Sequence, residues 1–305
     1  MYKERMIDMK KIDIKKIGSI LVLIICICLI ILSLWNIGST LKEYRDSRME
    51  YDKLREEIFV IADNDTDSEK ESSEPVSREE SSEETAAQET LNEEDEEARK
   101  LAEELARART QAKKESESVC NAISQLRKQN EDVVGWIKFL NLDISYPIMQ
   151  GSTNDEYLRH TWSGMANNSG SIFMETLNTS DFLDSHTIIY GHNMKDGSMF
   201  GKLKNYKEEG GYEKAPYFMI YTEDAAYEYQ IFAYSDIAED DAIYTIYYEP
   251  SEGFGQLVQS MKRHSWIDTG VSVDKDDKVI TLSTCSTDGR RFVVNAVRIN
   301  EYQIP

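Results

Sequence analysis

Val279-Ile280-Thr281-Leu282-Ser283-Thr284-Cys285 is followed, after a short gap, by Arg291-Phe292-Val293-Val294. The first run is β-branched and apolar, which predicts a strand ending on a cysteine. Ser286-Thr287-Asp288-Gly289 supplies turn residues, and the second run predicts a strand that opens on an arginine. A thiol at a strand end, facing a guanidinium across a tight turn, can attack a carbonyl and hold the charge that results. Further upstream, Thr187-Ile188-Ile189-Tyr190 reads as another apolar strand, followed by Gly191-His192-Asn193. Gly191 is expected to let the backbone turn there.

Each of these side chains has an ordinary use. A cysteine on a strand usually packs a core, a histidine after a strand is usually satisfied locally, and an arginine at a strand start is usually solvated. Their conjunction points elsewhere. A free thiol is only a few per cent thiolate at neutral pH unless a cation or base sits nearby. His192 can take the proton, and Arg291 can donate to an oxyanion or clamp a peptide backbone. The chemistry supported is attack on a peptide carbonyl, a tetrahedral intermediate and a thioester.

Around these runs, short β-rich segments recur between Gly, Asn and Asp. Predicted strands are Val134–Phe139, Ile144–Met149, Gly170–Met174, His186–Gly191, Tyr217–Thr222, Ala226–Ile237, Lys278–Cys285 and Arg291–Ile299. Predicted helices are fewer: Met199–Tyr206, and Gly253–Arg263 with Phe254, Leu257, Val258 and Met261 on one side. This is a mainly β fold with inserted helices, closed or nearly closed into a barrel, over residues 133–305.

The N-terminal part reads differently. Residues 17–41 carry no charge and exceed the roughly 20 apolar residues that span a bilayer. Lys10, Lys11, Lys15 and Lys16 precede them. The positive-inside rule therefore puts residues 1–16 in the cytoplasm and everything after the span outside. The length of the apolar run favours an uncleaved anchor over a signal peptide. A juxtamembrane helix is expected over 42–62, with Leu41, Tyr44, Met49, Leu54 and Ile58 among charges. The net charge is −21, and residues 63–100 hold 16 acidic against 4 basic residues. So acidic and apolar-poor a segment predicts a mobile spacer and argues against nucleic acid as a partner. A second helix, beginning near Glu93 and covering 101–132, has Leu101, Leu105, Val119, Ile123 and Leu126 at helical spacing. Its later half is expected to pack on the domain.

Cys26 and Cys28 fall in the apolar run, and Cys120 on the second helix. A Cys120–Cys285 disulfide is disfavoured, which leaves Cys285 as a thiol outside the membrane and kept for chemistry. Glu239-Asp240-Asp241 and Asp274-Lys275-Asp276-Asp277 match no metal loop and read as solvated turns. No metal or other cofactor is expected.

Thr281-Leu282-Ser283-Thr284-Cys285, with Tyr190-Gly191-His192-Asn193-Met194 and Arg291-Phe292-Val293-Val294, resembles the sortases, membrane-anchored cysteine transpeptidases of Gram-positive bacteria. Trp136-Ile137, Ile144–Gly151, Gly170–Phe173, Asp196–Phe200 and the helix before the seventh strand are similar to class B members. The resemblance implies an eight-stranded sortase β-barrel. It implies cleavage of an Asn-Pro-x-Thr-type sorting signal after Thr, with transfer to an amine of peptidoglycan, a lipid-linked precursor or a pilin. Partners would be signal-bearing surface proteins and the membrane. His192, Cys285 and Arg291 take the family's catalytic positions; Arg291 is chosen over Arg290 because Phe-Val-Val follows it directly. Some class B members have an acid after the cysteine. Here it is Ser286, so no assisting carboxylate is assigned. Thr284, Ser283, Tyr244 and Tyr248 are expected at the substrate groove, although Ser283 also suits a structural role and the tyrosines also suit packing on the inserted helix. A pilin-polymerising enzyme is the alternative within the fold; its usual Asp-Pro-aromatic lid motif is missing from the sequence. A membrane-tethered binding module with an inert Cys285 is the alternative outside it.

Overall fold

A computed structural model describes residues 14–66, 86–286 and 289–304. Two compact units divide the chain, Met1–Asp46 and Ser47–Pro305. Helix α1, Ile14–Thr66, contains the apolar segment and contributes residues to both. Its apolar part is long enough to cross a membrane by length and composition. Residues 1–13, most of the expected cytoplasmic segment, lie outside the described residues.

The second unit is built on a closed barrel of eight strands. They are β1 Val133–Phe139, β2 Ser145–Met149, β3 Ile172–Met174, β4 His186–Tyr190, β5 Tyr217–Tyr221, β6 Ala225–Ala238, β7 Val279–Cys285 and β8 Arg290–Gln303. All eight coincide with the runs expected from sequence, with shifts at their ends. Their order around the barrel is β1-β2-β3-β4-β7-β8-β6-β5. Most neighbours are antiparallel, but β2 pairs with β3 and β4 pairs with β7 in parallel. A parallel pair ends both strands at the same rim, which decides where the site forms.

Both expected inserted helices have counterparts, and a short α3 at Gly211–Lys214 and a 3-10 turn at Ala242–Tyr244 were not expected. Gly201–Lys207 is a 3-10 turn rather than an α-helix. Helix α4 spans Glu252–His264 between β6 and β7. Ser251 caps it by accepting from the Phe254 amide at 3.1 Å. Phe254, Leu257, Val258 and Met261 are its buried stripe. They close a core against Phe232, Val279, Val293 and Val297 from the neighbouring strands.

Both N-terminal helices reach the barrel. Helix α2, Ala86–Arg127, buries Ala112, Val119, Cys120, Ile123 and Leu126 against β1 and β5. Buried carboxylates fix its position: Glu228 takes Arg109, and Glu115 takes Lys138 and the Tyr221 hydroxyl. The end of α1 also packs here, through Tyr51, Leu54 and Ile58. The Tyr51 hydroxyl bonds Gly170 and Ser171, 3.0 Å from each. Leu41 and Met49, the other apolar residues named with them, are exposed.

The expected spacer, 63–100, needs correction at its edges. Residues 63–66 complete α1 and 86–100 open α2; the remainder, 67–85, lies outside the described residues. Helix wins at the α2 edge because Ala, Glu, Lys and Arg favour it and because pairs such as Glu96–Lys100, at 2.7 Å, sit one turn apart.

Candidate active site

The ladder registers bring the three predicted residues to one rim. On β4 and β7, Tyr190 pairs with Ser283, so the residues that follow, Gly191-His192 and Thr284-Cys285, leave the barrel side by side. The Gly191 amide still donates to the Ser283 carbonyl at 3.1 Å. On β7 and β8, Cys285 pairs directly with Arg291. Thr287 and Asp288 of the expected turn lie outside the described residues; Gly289 has a φ of +69° and supplies the left-handed step.

Cys285 is an exposed, free thiol, and Cys120 is free and buried. Burial pushes the Cys120 thiol up to about 12, which keeps it protonated and inert. At the rim, Arg291 Nη1 donates to Cys285 Sγ at 3.4 Å. The same nitrogen lies 2.9 Å from Glu239 Oε1. Arg290 points away and donates to the Asp236 carbonyl at 2.6 Å. Strand alternation thus assigns Arg291, not Arg290, to the thiol.

His192 shares a cleft of about 150 Å³ with Cys285 and Arg291. Leu158, Phe173, Tyr190 and Gly191 form its apolar side, and Ser283 and Thr284 its polar side. His192 Nε2 lies 2.7 Å from the Leu158 carbonyl. A carbonyl only accepts, so Nε2 carries a proton there and Nδ1 keeps the free lone pair of the neutral ring. The thiol takes its hydrogen bond from Arg291 rather than from His192.

The remaining predicted residues separate. Ser283 is buried and bonds the Tyr244 hydroxyl at 2.8 Å. Tyr244 stacks on Tyr190, with centroids 6.3 Å apart, and so backs the cleft. Thr284 lines the cleft, and its buried Oγ1 has no hydrogen-bond partner among the described residues. Tyr248 is not brought to the cleft. Its hydroxyl bonds the Leu177 carbonyl at 3.0 Å, on an exposed loop. Tyr247, beside it in sequence, packs on Phe254 of α4.

Four features escaped the sequence. Asn193 Nδ2 donates to the Cys285 carbonyl at 2.8 Å, tying the histidine loop to the cysteine. Tyr190 donates its hydroxyl to Glu175 at 2.9 Å, and burial with that carboxylate raises the phenol well above its usual range. Glu239, expected in a solvated turn, pairs with Arg291. Gly191 is required for a reason other than the one expected. Its φ is not positive, but an added Cβ would meet the Phe200 ring at 2.7 Å and Ile172 closer still. The acidic turns otherwise behave as turns: Asp274 and Asp277 bond amides within their own loop.

A closed mixed barrel with a thiol, a guanidinium and an imidazole gathered at one rim defines the kind of site used by thiol-dependent acyl-transfer proteins. A family model described as the sortase domain matches residues 137–299, and the chain belongs to the sortase family. It is 39% identical to sortase B of Listeria monocytogenes over 155 residues, covering 51% of this chain and 63% of that protein. It is 36% identical to sortase B of Staphylococcus aureus over 168 residues, covering 53% and 68% respectively. The aligned part is thus less than two thirds of the Listeria protein. A crystal structure described as a Staphylococcus aureus sortase B–substrate complex superposes with a TM-score of 0.58 at 31% identity, covering 69% of this chain and 99% of that one.

Proposed function

We propose that this chain is a membrane-anchored cysteine transpeptidase of the class B type. It cleaves an Asn-Pro-x-Thr-type signal after Thr and passes the acyl group to a cell-wall amine. The observation that carries this reading is the Cys285–Arg291 contact in a cleft shared with His192. Support for the class comes from the relatives named sortase B. Support for the anchor comes from the long apolar part of α1.

The geometry suits the following course. A peptide lies along the cleft with its scissile carbonyl at Cys285. Sγ attacks the carbonyl carbon, and its proton passes to His192 Nδ1, the ring being oriented by the Leu158 carbonyl at Nε2. Charge gathers on the former carbonyl oxygen, and the Arg291 guanidinium donates to it. As the C–N bond breaks, the imidazolium returns the proton to the leaving amine and a thioester remains. An incoming amine attacks the thioester, loses a proton to His192 and expels the thiolate, which takes that proton back from the imidazolium and restores the Cys285 thiol. Asn193 holds the Cys285 backbone, and Leu158, Phe173 and Tyr190 keep water from one side of the reacting bond.

The test is cleavage of a panel of fluorogenic signal peptides by the full chain in detergent, with Cys285→Ala, His192→Ala and Arg291→Ala as controls. Cys285→Ala is expected to lose activity by several orders of magnitude. Full activity in that variant sinks the mechanism. Failure of Cys285 to label with a thiol-directed reagent, in an otherwise folded protein, favours the inert binding module.

A further inference from the structure

Arg291 is held from two sides by one nitrogen. Nη1 lies 3.4 Å from Cys285 Sγ and 2.9 Å from Glu239 Oε1. The carboxylate is thus no more than about two hydrogen-bond lengths from the sulfur. Glu239 is the first residue past β6, whose last pair, Ala238 with Arg290, is set by the β6–β8 ladder. The turn after it is closed at once. The Asp241 amide bonds the Ala238 carbonyl, and the Asp241 carboxylate caps the 3-10 turn Ala242–Tyr244 by accepting from Ile243 at 2.9 Å. That same 3-10 turn delivers the Tyr244 hydroxyl to Ser283, two residues before Cys285. One short, fixed segment therefore braces the cysteine strand at Ser283 and its arginine at Nη1.

We propose that Glu239 is the positioning residue of Arg291, holding the guanidinium at the thiol through the transition state; this rests on the reading of Cys285 and Arg291 as the reacting pair. Three observations support it. An arginine side chain is long and loses much rotamer freedom when fixed, so one held at a half-exposed rim needs a second anchor. Lys207, a cation that reaches the residue after Cys285, is already spent on Asp236 and on Ser286, at 3.0 and 3.1 Å. The Arg291–Glu239 pair is itself about half exposed, with side chains 33% and 51% accessible, and such pairs contribute little to stability. Its value lies in geometry.

Among the described residues, the groups around the thiol include Arg291 from β8, Glu239 after β6, His192 after β4, Lys207 at Ser286, and the phenols of Tyr190 and Tyr244, of which Arg291 and Glu239 are the pair at issue. The first two form a unit separable by a double-mutant cycle. In the full chain, Glu239→Gln is expected to lower kcat roughly 10- to 100-fold with KM changed less than about two-fold. The melting temperature should hold, and Glu239→Asp should recover part of the loss. In an Arg291→Ala background, adding Glu239→Gln should change kcat less than about two-fold. An equal loss in both backgrounds overturns the proposal. So does loss of aminolysis alone with acylation intact, which would assign Glu239 to the acceptor amine. Should no peptide be cleaved even by the parent protein, the function proposed above fails, and iodoacetamide alkylation of Cys285 still tests the pair. Glu239→Gln should move that rate toward the Arg291→Ala value, and the double variant should match Arg291→Ala. A shift the other way, or additive shifts, refutes it.

Discussion

His186 makes the barrel's stability depend on pH, although it does no chemistry. It opens β4 and is completely buried. Nδ1 lies 2.9 Å from the Thr245 carbonyl and Nε2 lies 2.8 Å from Thr281 Oγ1, a hydroxyl that also reaches Asn295. Burial lowers its pKa from 6.5 to about 4, against smaller opposing effects from the Thr245 carbonyl and Asp184. The folded ring is therefore neutral where the unfolded one is charged. Above about pH 6.5 both states are neutral and the group is without effect. As the pH falls from there toward 4, the unfolded chain binds a proton that the folded chain excludes, and stability declines. Each pH unit in that window is about 1.4 kcal/mol, so the loss reaches about 2.5 kcal/mol near pH 4.5. The perturbation is His186→Gln, which removes the titration and keeps a polar side chain between Thr245 and Thr281. Urea unfolding of both full chains in detergent, at about pH 7.5 and about pH 4.5, isolates this group because every other titration is common to both. The stability advantage of the parent chain over the His186→Gln variant should shrink by about 2.5 kcal/mol at the lower pH. An advantage equal at both pH values, within about 0.5 kcal/mol, refutes the reasoning.

Two further outcomes separate packing from chemistry in the cleft. Gly191→Ala places a Cβ against Phe200 and Ile172, both fully buried. It should cost about 1–3 kcal/mol in chemical unfolding and displace His192, with peptide cleavage falling roughly 100-fold; unchanged cleavage would show that the loop absorbs the methyl. Tyr244→Phe leaves the buried Ser283 hydroxyl without its partner and should raise KM for peptide several-fold, whereas Tyr248→Phe, altered far from the cleft, should leave cleavage kinetics unchanged. Equal effects of the two would put Tyr248 back in the groove.

The strands were readable because β-branched runs alternate with turn residues, and that pattern is local. Helix α4 was readable for the same reason, its Phe254, Leu257, Val258 and Met261 lying one turn apart. What could not be read was which strands are neighbours. His192 and Cys285 each follow an apolar strand, yet nothing local says that β4 and β7 are adjacent and parallel. Period-2 alternation about Phe292 puts Arg290 and Arg291 on opposite faces of β8, a signal the sequence itself carries. Glu239 was hidden because Glu239-Asp240-Asp241 has the composition of a solvated turn, and only the β6–β8 register carries its first carboxylate to Arg291. The joint packing of α1 and α2 was half visible. Tyr51, Leu54 and Ile58 share a face, but the barrel surface that covers them is assembled from residues far along the chain.

The order β4-β7-β8-β6 explains why these four residues can act together. His192 follows β4, Cys285 ends β7, Arg291 lies at the start of β8 and Glu239 follows β6. Because β4 and β7 are parallel and the next two pairings are antiparallel, all four reach the same rim from four adjacent strands. The Cys285–Arg291 spacing is set by a hydrogen-bonded ladder, and His192 and Glu239 stand within two residues of one, so rigid elements hold most of the geometry. The arrangement is also exacting. A one-residue slip of β8 against β7 would set Arg290 opposite Cys285 and turn Arg291 to the other face. It would also exchange the two buried faces of β8, setting Phe292 and Val294 where Val293 and Asn295 now pack. The core that β8 buries therefore guards the register, and through the register the contact between guanidinium and thiol. An exposed pair keeps its geometry here because the residues that enforce it are not at the surface.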